Sequence, residues 1–275
     1  MNFVTSNDDT SIAYVTGGQG PHLVLVHGTT ASHTRWSAIR PRFEERFTVT
    51  AIDRRGRGQS GDASDYAIEH EFEDVAAVAE ALDPPVLLFG HSFGAICALE
   101  AAFRTEKLAG LVLYEPPIVE QTIYAPGQLD RLEALLASGD REGMVAAFFT
   151  EVVGVPPHEL EIARASPAWP DRVAAAHTIL RECRAEETYR LSADRAGRLS
   201  LPVLLLLGGD SPSFFAEAIS VLEKTLPNAR KAVMPGQRHM AMDTGPDLVV
   251  GAVFDFWRDI ESQGSRAAPE EEARP

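Results

Sequence analysis

The chain has 275 residues, 45% hydrophobic and 24% charged, which is the balance of a globular protein with one large domain, or one domain carrying an insertion. Its net charge of −15 argues against nucleic acid or an anionic membrane surface as partner. No apolar run approaches the roughly 18 residues of a membrane span, and Met1-Asn2-Phe3-Val4-Thr5 lacks the basic and apolar regions of a secretory leader, so a cytoplasmic protein is expected.

Ser11–Val15 alternates like an edge strand, and Gly17–Pro21 reads as a turn. His22–Val26 is a buried strand that runs into His27-Gly28-Thr29-Thr30. A short helix is predicted from Trp36 to Phe43, then a strand over Phe47–Ile52. That strand ends in Asp53-Arg54-Arg55-Gly56-Arg57-Gly58-Gln59-Ser60, whose glycines permit a tight backbone path. Three arginines in this turn suit a phosphate cradle, but the Walker lysine pattern is missing. Ile68, Phe72, Val75, Val78 and Leu82 recur at helical spacing and predict an amphipathic helix.

The apolar run Val86–Phe89 leads into Gly90-His91-Ser92-Phe93-Gly94, and a helix-compatible run, Ala95–Phe103, follows. A serine at the apex of a strand–turn–helix, flanked by small residues, is a nucleophile elbow. The turn brings the two backbones too close for side chains at 90 and 94, and it exposes the serine Oγ at a helix N-terminus. Ser92 is therefore the candidate nucleophile. Cys97, within the following helix, reads as a small core residue. With Cys183 it makes only two cysteines, which is no disulfide framework.

A further strand, Leu111–Tyr114, closes on Glu115. After Pro116-Pro117 the strand rhythm stops, and residues 117–198 carry helical stretches broken by prolines. Strands resume at Val203–Leu207 and Arg230–Met234, separated by a helix over Phe214–Leu226, and a closing helix covers about Asp247–Ile260. Near-continuous apolar strands alternating with helices predict a mostly parallel, doubly wound α/β sheet. The expected organisation is a core of residues 1–116 and 199–262, a helical cap over 117–198, and a disordered tail over 263–275. Ligands of such sheets bind beyond the carboxyl ends of the strands, where His27, Ser92, Glu115, Asp210 and His239 all fall. Phe148, Phe149 and Trp169 suggest an apolar roof to a small-molecule pocket. No cluster with metal-ligand spacing and no dinucleotide fingerprint is present, so neither metal nor cofactor is expected.

With the elbow, Val26-His27-Gly28, the Asp53–Ser60 turn and Pro235-Gly236-Gln237-Arg238-His239 in order, the chain resembles the α/β-hydrolase superfamily. The resemblance implies a serine–acid–histidine triad beneath a helical cap. It makes His239 the base that activates Ser92, and the backbone N–H groups of Thr29 and Phe93 the oxyanion hole. It leaves the acid open. Many members carry it after the strand that follows the cap, where Gly208-Gly209-Asp210-Ser211 sets Asp210 one residue early. A subset resembling haloalkane dehalogenases and zearalenone-type lactonases takes it from the strand before the cap, which is the position of Glu115. Glu115 is favoured, because a carboxylate ending an apolar strand must be hydrated or paired. The implied activity is cofactor-independent hydrolysis of an ester or lactone of a small, fairly apolar molecule. Carbon–carbon bond hydrolysis, haloperoxidase-like perhydrolysis and a ligand-binding role with an idle triad remain alternatives. A small-molecule substrate is the expected partner, and oligomeric state leaves no mark in the sequence.

Overall fold

Along the central strands, successive side chains enter opposite cores. Val24, Val26, Leu88, Leu111, Leu113, Val203 and Leu205 pack on one face of the sheet, and Leu23, Leu25, Leu87, Phe89, Val112, Tyr114, Leu204 and Leu206 on the other. This period of two is what a strand buried on both faces requires, and each fully buried aliphatic side chain contributes about 1.5–3 kcal/mol. The structure is a computed structural model that describes residues 1–118 and 122–267.

The strands are β1 (Asn2–Thr5), β2 (Ser11–Gly17), β3 (His22–Val26), β4 (Thr48–Ile52), β5 (Val86–His91), β6 (Leu108–Tyr114), β7 (Val203–Gly208) and β8 (Ala229–Met234). They form one eight-stranded sheet in the order β1-β2-β4-β3-β5-β6-β7-β8. The β1–β2 and β2–β4 pairs are antiparallel, and all the others are parallel. The chain order reverses between β3 and β5, and at such a switch point the loops leave a crevice. β1 carries no strand signal in the sequence because it is an exposed edge strand with little apolar pattern.

Helices cover both faces: α1 (Arg40–Phe43), α2 (Ile68–Glu80) and α3 (Phe93–Ala101) before the insertion. The helix expected from Trp36 to Phe43 is split into a 3-10 turn, His33–Trp36, and α1. Pro41 supplies no N–H to bond back to Ser37, so the helix restarts there. Between Pro116 and Ser200 the described residues form α4 (Gln128–Ala137), α5 (Arg141–Ala147), a π-helical turn (Phe148–Val152), α6 (Pro157–Ala165), α7 (Trp169–Ala174), a 3-10 turn (Ala176–Thr178), α8 (Ile179–Thr188) and α9 (Ala193–Ala196), with no strand among them. This inserted segment has its own core around Leu132, Met144, Val145 and Ile179. After it come α10 (Ser213–Thr225), α11 (Ala241–Thr244) and α12 (Pro246–Ala267). The last helix extends through 263–267, the start of the segment expected to be a disordered tail. The rest of that tail, 268–275, lies outside the described residues. No helix among the described residues is long and apolar enough to cross a membrane.

Buried charge joins the inserted segment to the sheet. Arg54 donates to both oxygens of Glu71, at 2.9 Å each, and Arg54 and Arg57 both pair with Glu182 on α8. All four side chains are nearly inaccessible. Arg55 is taken by Asp74 and Asp8. The three arginines of the turn therefore face carboxylates, which answers the phosphate-cradle alternative. Burial pushes the Glu71 carboxyl up, but Arg54 and Arg57 outweigh it and hold it below its ordinary value of 4.5. A carboxylate with a lowered folded value stabilises fully above its unfolded value, so this contribution is lost as pH falls below 4.5 and through the lowered value. Removing Glu182 leaves two buried guanidinium groups short of a partner. Glu182→Ala should cost about 3 kcal/mol in guanidinium-chloride unfolding at pH 7, and a loss under about 1 kcal/mol would contradict a clamp of this kind.

Candidate active site

The register of the parallel strands sets several chain ends side by side. Val26 pairs with Gly90, His91 with Tyr114, and Tyr114 with Leu206. The ladder continues one residue further, since the Ser92 N–H donates to Tyr114 O at 2.9 Å and the Glu115 N–H to Leu206 O at 3.2 Å. Ser92 and Glu115 thus leave neighbouring strands at one level. Both have positive φ, 57° and 47°, which costs a non-glycine residue of order 1–3 kcal/mol and persists only where the surroundings enforce it.

The enforcement at Ser92 is close backbone packing. A Cβ on Gly90 would lie 2.4 Å from Gly94 O, and one on Gly94 would lie 2.3 Å from His27 O. The β3 loop presses on the serine itself, because a Cβ on Gly28 would meet Ser92 Cβ at 2.8 Å. Ser92 sits at the N-terminus of α3, whose first N–H groups have no partner further back along the helix.

His239, in the loop after β8, donates from Nδ1 to Glu115 Oε2 at 2.6 Å. The other carboxylate oxygen, Oε1, accepts the Gly208 N–H at 2.7 Å. Glu115 is wholly buried, so it meets both partners out of water. Gly208 also controls a close approach. A Cβ there would lie 2.6 Å from Gln237 O, so only glycine lets the end of β7 come near the histidine loop. Phe215 stacks on the His239 ring at 4.5 Å between centroids and 12° between planes. On another side lies His91, 4.5 Å away. The His91 Nε2–H donates to His239 O at 2.9 Å, and the Tyr114 hydroxyl donates to Arg238 O. Burial, then the neighbouring His239 and Arg35, push His91 well below the ordinary histidine value, so it is neutral.

Asp210, the alternative acid, is exposed, and the structure does not bring it to His239. Its backbone N–H donates to Gln237 O at 2.9 Å, which fixes it in the turn beyond β7 while Glu115 occupies Nδ1. The strand-end glutamate is thus the one joined to the histidine.

His27 shapes the loop over Ser92. Its Nε2 accepts the Arg54 N–H at 3.0 Å, so the ring proton is on Nδ1, which donates to Gly28 O at 2.8 Å. Burial, then Arg54 and Arg57, hold His27 well below its usual value and keep it neutral. With the Gly28 carbonyl turned toward the ring, the trans peptide points the Thr29 N–H the opposite way. Phe93 turns its ring under the Arg54 guanidinium, 4.6 Å away, and contributes only backbone at the head of α3.

A pocket opens on these groups. Gly28, Thr29, Ser92 and His239 line it from the core, and Phe148, Phe149 and Arg172 from the inserted segment. Trp169 is not in the lining. It packs edge-on behind Phe149, at 6.2 Å, within the segment's own core. Sequence reasoning did not find Arg35 and Arg172, which also line the pocket, or His91, Phe215 and Gly208, which hold the histidine. Only His91 carried a signal, its place beside the elbow serine. Among the described residues no group of three or more His, Cys, Asp or Glu side chains is placed to hold a metal ion.

A mostly parallel sheet with a strained serine at the switch point and a carboxylate–histidine pair beside it defines an alpha/beta hydrolase. The chain belongs to the alpha/beta hydrolase family, whose model matches residues 23–252. A curated relative, 2-(acetamidomethylene)succinate hydrolase of Mesorhizobium japonicum, is 26% identical over 257 residues, spanning 87% of this chain and 88% of its own. The fold is similar to that of an alpha/beta hydrolase from Sphaerobacter thermophilus, with TM-score 0.80 and 35% identity over 93% of this chain and 100% of that one. It is also similar to a malate-bound thermophilic esterase from Thermogutta terrifontis, with TM-score 0.70 and 25% identity over 94% and 98%. The protein is accordingly a hydrolase of this family.

The two carboxylates make separable predictions. Glu115→Gln should lower kcat/KM for 4-nitrophenyl acetate about a thousandfold or more, because the amide can favour the wrong histidine tautomer and no longer stabilises the imidazolium. Asp210→Asn should stay within about twofold, as for an exposed side chain away from the chemistry. The reverse order of effects would remove Glu115 from the site.

Proposed function

We propose that the protein is a serine hydrolase that cleaves an ester or lactone of a small, fairly apolar molecule, with Ser92, His239 and Glu115 as its triad. The observation that carries this reading is the 2.6 Å bond from His239 Nδ1 to the buried Glu115, beside a strained elbow serine that lines the same pocket. A serine hydroxyl is a poor nucleophile until a base takes its proton. In this reading His239 removes the Ser92 proton as Oγ attacks the carbonyl. The N–H groups of Thr29 and Phe93 receive the oxyanion. His239 then gives its proton to the leaving alkoxide, and an acyl-serine remains. Water enters, loses a proton to His239 and attacks the acyl carbon, which releases the acid and restores the Ser92 hydroxyl. Glu115 keeps the proton on Nδ1 and stabilises the imidazolium through both cycles.

The inserted helices 117–198 act as a cap that roofs the pocket with Phe148 and Phe149, with Trp169 backing Phe149. No cofactor enters this chemistry. The relatives support hydrolysis at a carbonyl: one is named an esterase, and the other, by its name, hydrolyses a succinate derivative. Carbon–carbon cleavage and perhydrolysis would use the same residues and differ in their products.

A panel of aryl esters, lactones, thioesters and β-diketones should show turnover of esters or lactones by the wild type. Ser92→Ala should lose about 10⁴-fold or more in kcat with the fold intact by circular dichroism, since the oxyanion hole and binding alone leave only residual catalysis. Near-wild-type hydrolysis by that variant would refute the assignment.

A further inference from the structure

Most buried arginines in this protein meet carboxylates. Arg54 and Arg57 share Glu71 and Glu182, and Arg55 lies between Asp74 and Asp8. Arg172, on α7, does not. It is 5% exposed and lines the pocket beside Ser92, yet among the described residues no carboxylate pairs with it. Its Nη1 donates to the Thr30 hydroxyl at 3.2 Å, its guanidinium lies over the Phe149 ring at 5.2 Å, and its Nε is buried without a partner. The adjacent Asp171 accepts from the hydroxyls of Ser32 and Thr34 instead. Arg35, also 5% exposed and in the pocket lining, gives Nη1 to both oxygens of Asp243, at 2.9 and 2.7 Å, and leaves Nη2 buried and unpartnered.

An uncompensated guanidinium out of water costs several kcal/mol. Burial first, and then the neighbouring Arg35, lower Arg172 to about 9, against the pull of Asp243 and Asp171. Two arginines that each hold a buried unmet donor, with one surplus positive charge between them, line a pocket otherwise lined largely by aliphatic and aromatic side chains, in a chain of net charge −15. Bulk electrostatics would repel an anion, so only a local contact could recruit one.

We propose that Arg172, with Arg35 beside it, is the subsite for a carboxylate on the substrate, so that the scissile ester belongs to a molecule carrying a second acid group that is not cleaved. This rests on the hydrolase reading given above and adds the substrate class to it. A carboxylate fits better than a phosphate dianion. Asp243 already answers the charge of Arg35, one positive charge remains, and the planar guanidinium fork matches a planar monoanion. The anchored carboxylate would hold the carbonyl over Ser92, and Phe148 and Phe149 would cover the carbon chain between them.

The test compares monomethyl glutarate with methyl pentanoate, two esters of equal acyl length that differ by one carboxylate. The wild type should prefer the hemiester in kcat/KM by roughly ten- to a hundredfold, the effect of a charge-assisted hydrogen bond. Arg172→Met should remove that preference, chiefly through KM. Glutarate binding to the Ser92→Ala protein, followed by calorimetry, reads the subsite without chemistry and should vanish in Ser92→Ala/Arg172→Met. If Arg172→Met fails to fold, Arg172→Lys, which keeps the charge but loses the fork, should bind glutarate more weakly. The proposal is overturned if the wild type cleaves both esters with no preference, or if glutarate does not bind or binds equally well without Arg172. Turnover of 4-nitrophenyl acetate separates the two readings. If the neutral ester is cleaved while glutarate is ignored, the hydrolase stands and the subsite falls. If no ester is cleaved while glutarate binds through Arg172, the subsite stands and the hydrolase reading falls.

Discussion

The hydrogen bond between His239 and Glu115 ties the loop after β8 to the end of β6, two strands inward. It can form only if four backbone conditions hold together. Glu115 must accept a positive φ, and Gly208 must lack a Cβ so that the histidine loop can approach. The Gly208 N–H must satisfy the second carboxylate oxygen, and Tyr114 and His91 must hold the carbonyls of Arg238 and His239. Because the carboxylate is fully buried, any failure would leave a charge out of water with one partner or none, at a cost of several kcal/mol. The strain at Glu115, the close approach at Gly208 and the Phe215 ring stacked on His239 all gather around that single pair.

Buried arginines serve two purposes on either side of this pair. Arg54, Arg55 and Arg57 are matched by carboxylates and fasten α2, and through Glu182 the inserted segment, to the sheet. Their worth is in geometry more than in net energy, since a buried ion pair roughly repays its own desolvation. Arg172 is left without a carboxylate in the pocket, which is a cost to the folded protein unless a ligand meets it. Unmatched polar groups of this kind are where a sequence departs from local consistency, and such departures concentrate at functional sites. The proposed carboxylate subsite takes that cost as the source of its selectivity.

Much of the core was legible because its central strands are apolar runs and because the elbow compresses strand, serine and helix into a few residues. Ser92, His239 and Glu115 could be named as candidates, and Glu115 could be favoured over Asp210, but that preference could not be settled along the chain. It depends on strand register, which sets Glu115 level with Ser92, and on a turn that pins the Asp210 backbone to Gln237. The break between Trp36 and Phe43 turns on one missing N–H at Pro41, and the edge strand β1 has no core face to give it a pattern. Arg35 and Arg172 were invisible for a different reason. An arginine in a helix is usually a solvated side chain, and only the packing of α7 against the Thr30 loop shows that Arg172 is buried with no carboxylate to meet it. Trp169 read as pocket roof because aromatic content does not tell lining from backing.

Labelling with a fluorophosphonate probes the central claim most directly, because the reagent needs an activated serine and no knowledge of the substrate. Peptide mapping of the labelled protein should find one adduct, on Ser92, formed at a rate that falls by orders of magnitude in His239→Ala. An unlabelled protein, an adduct on another residue, or a rate indifferent to His239 would contradict the account.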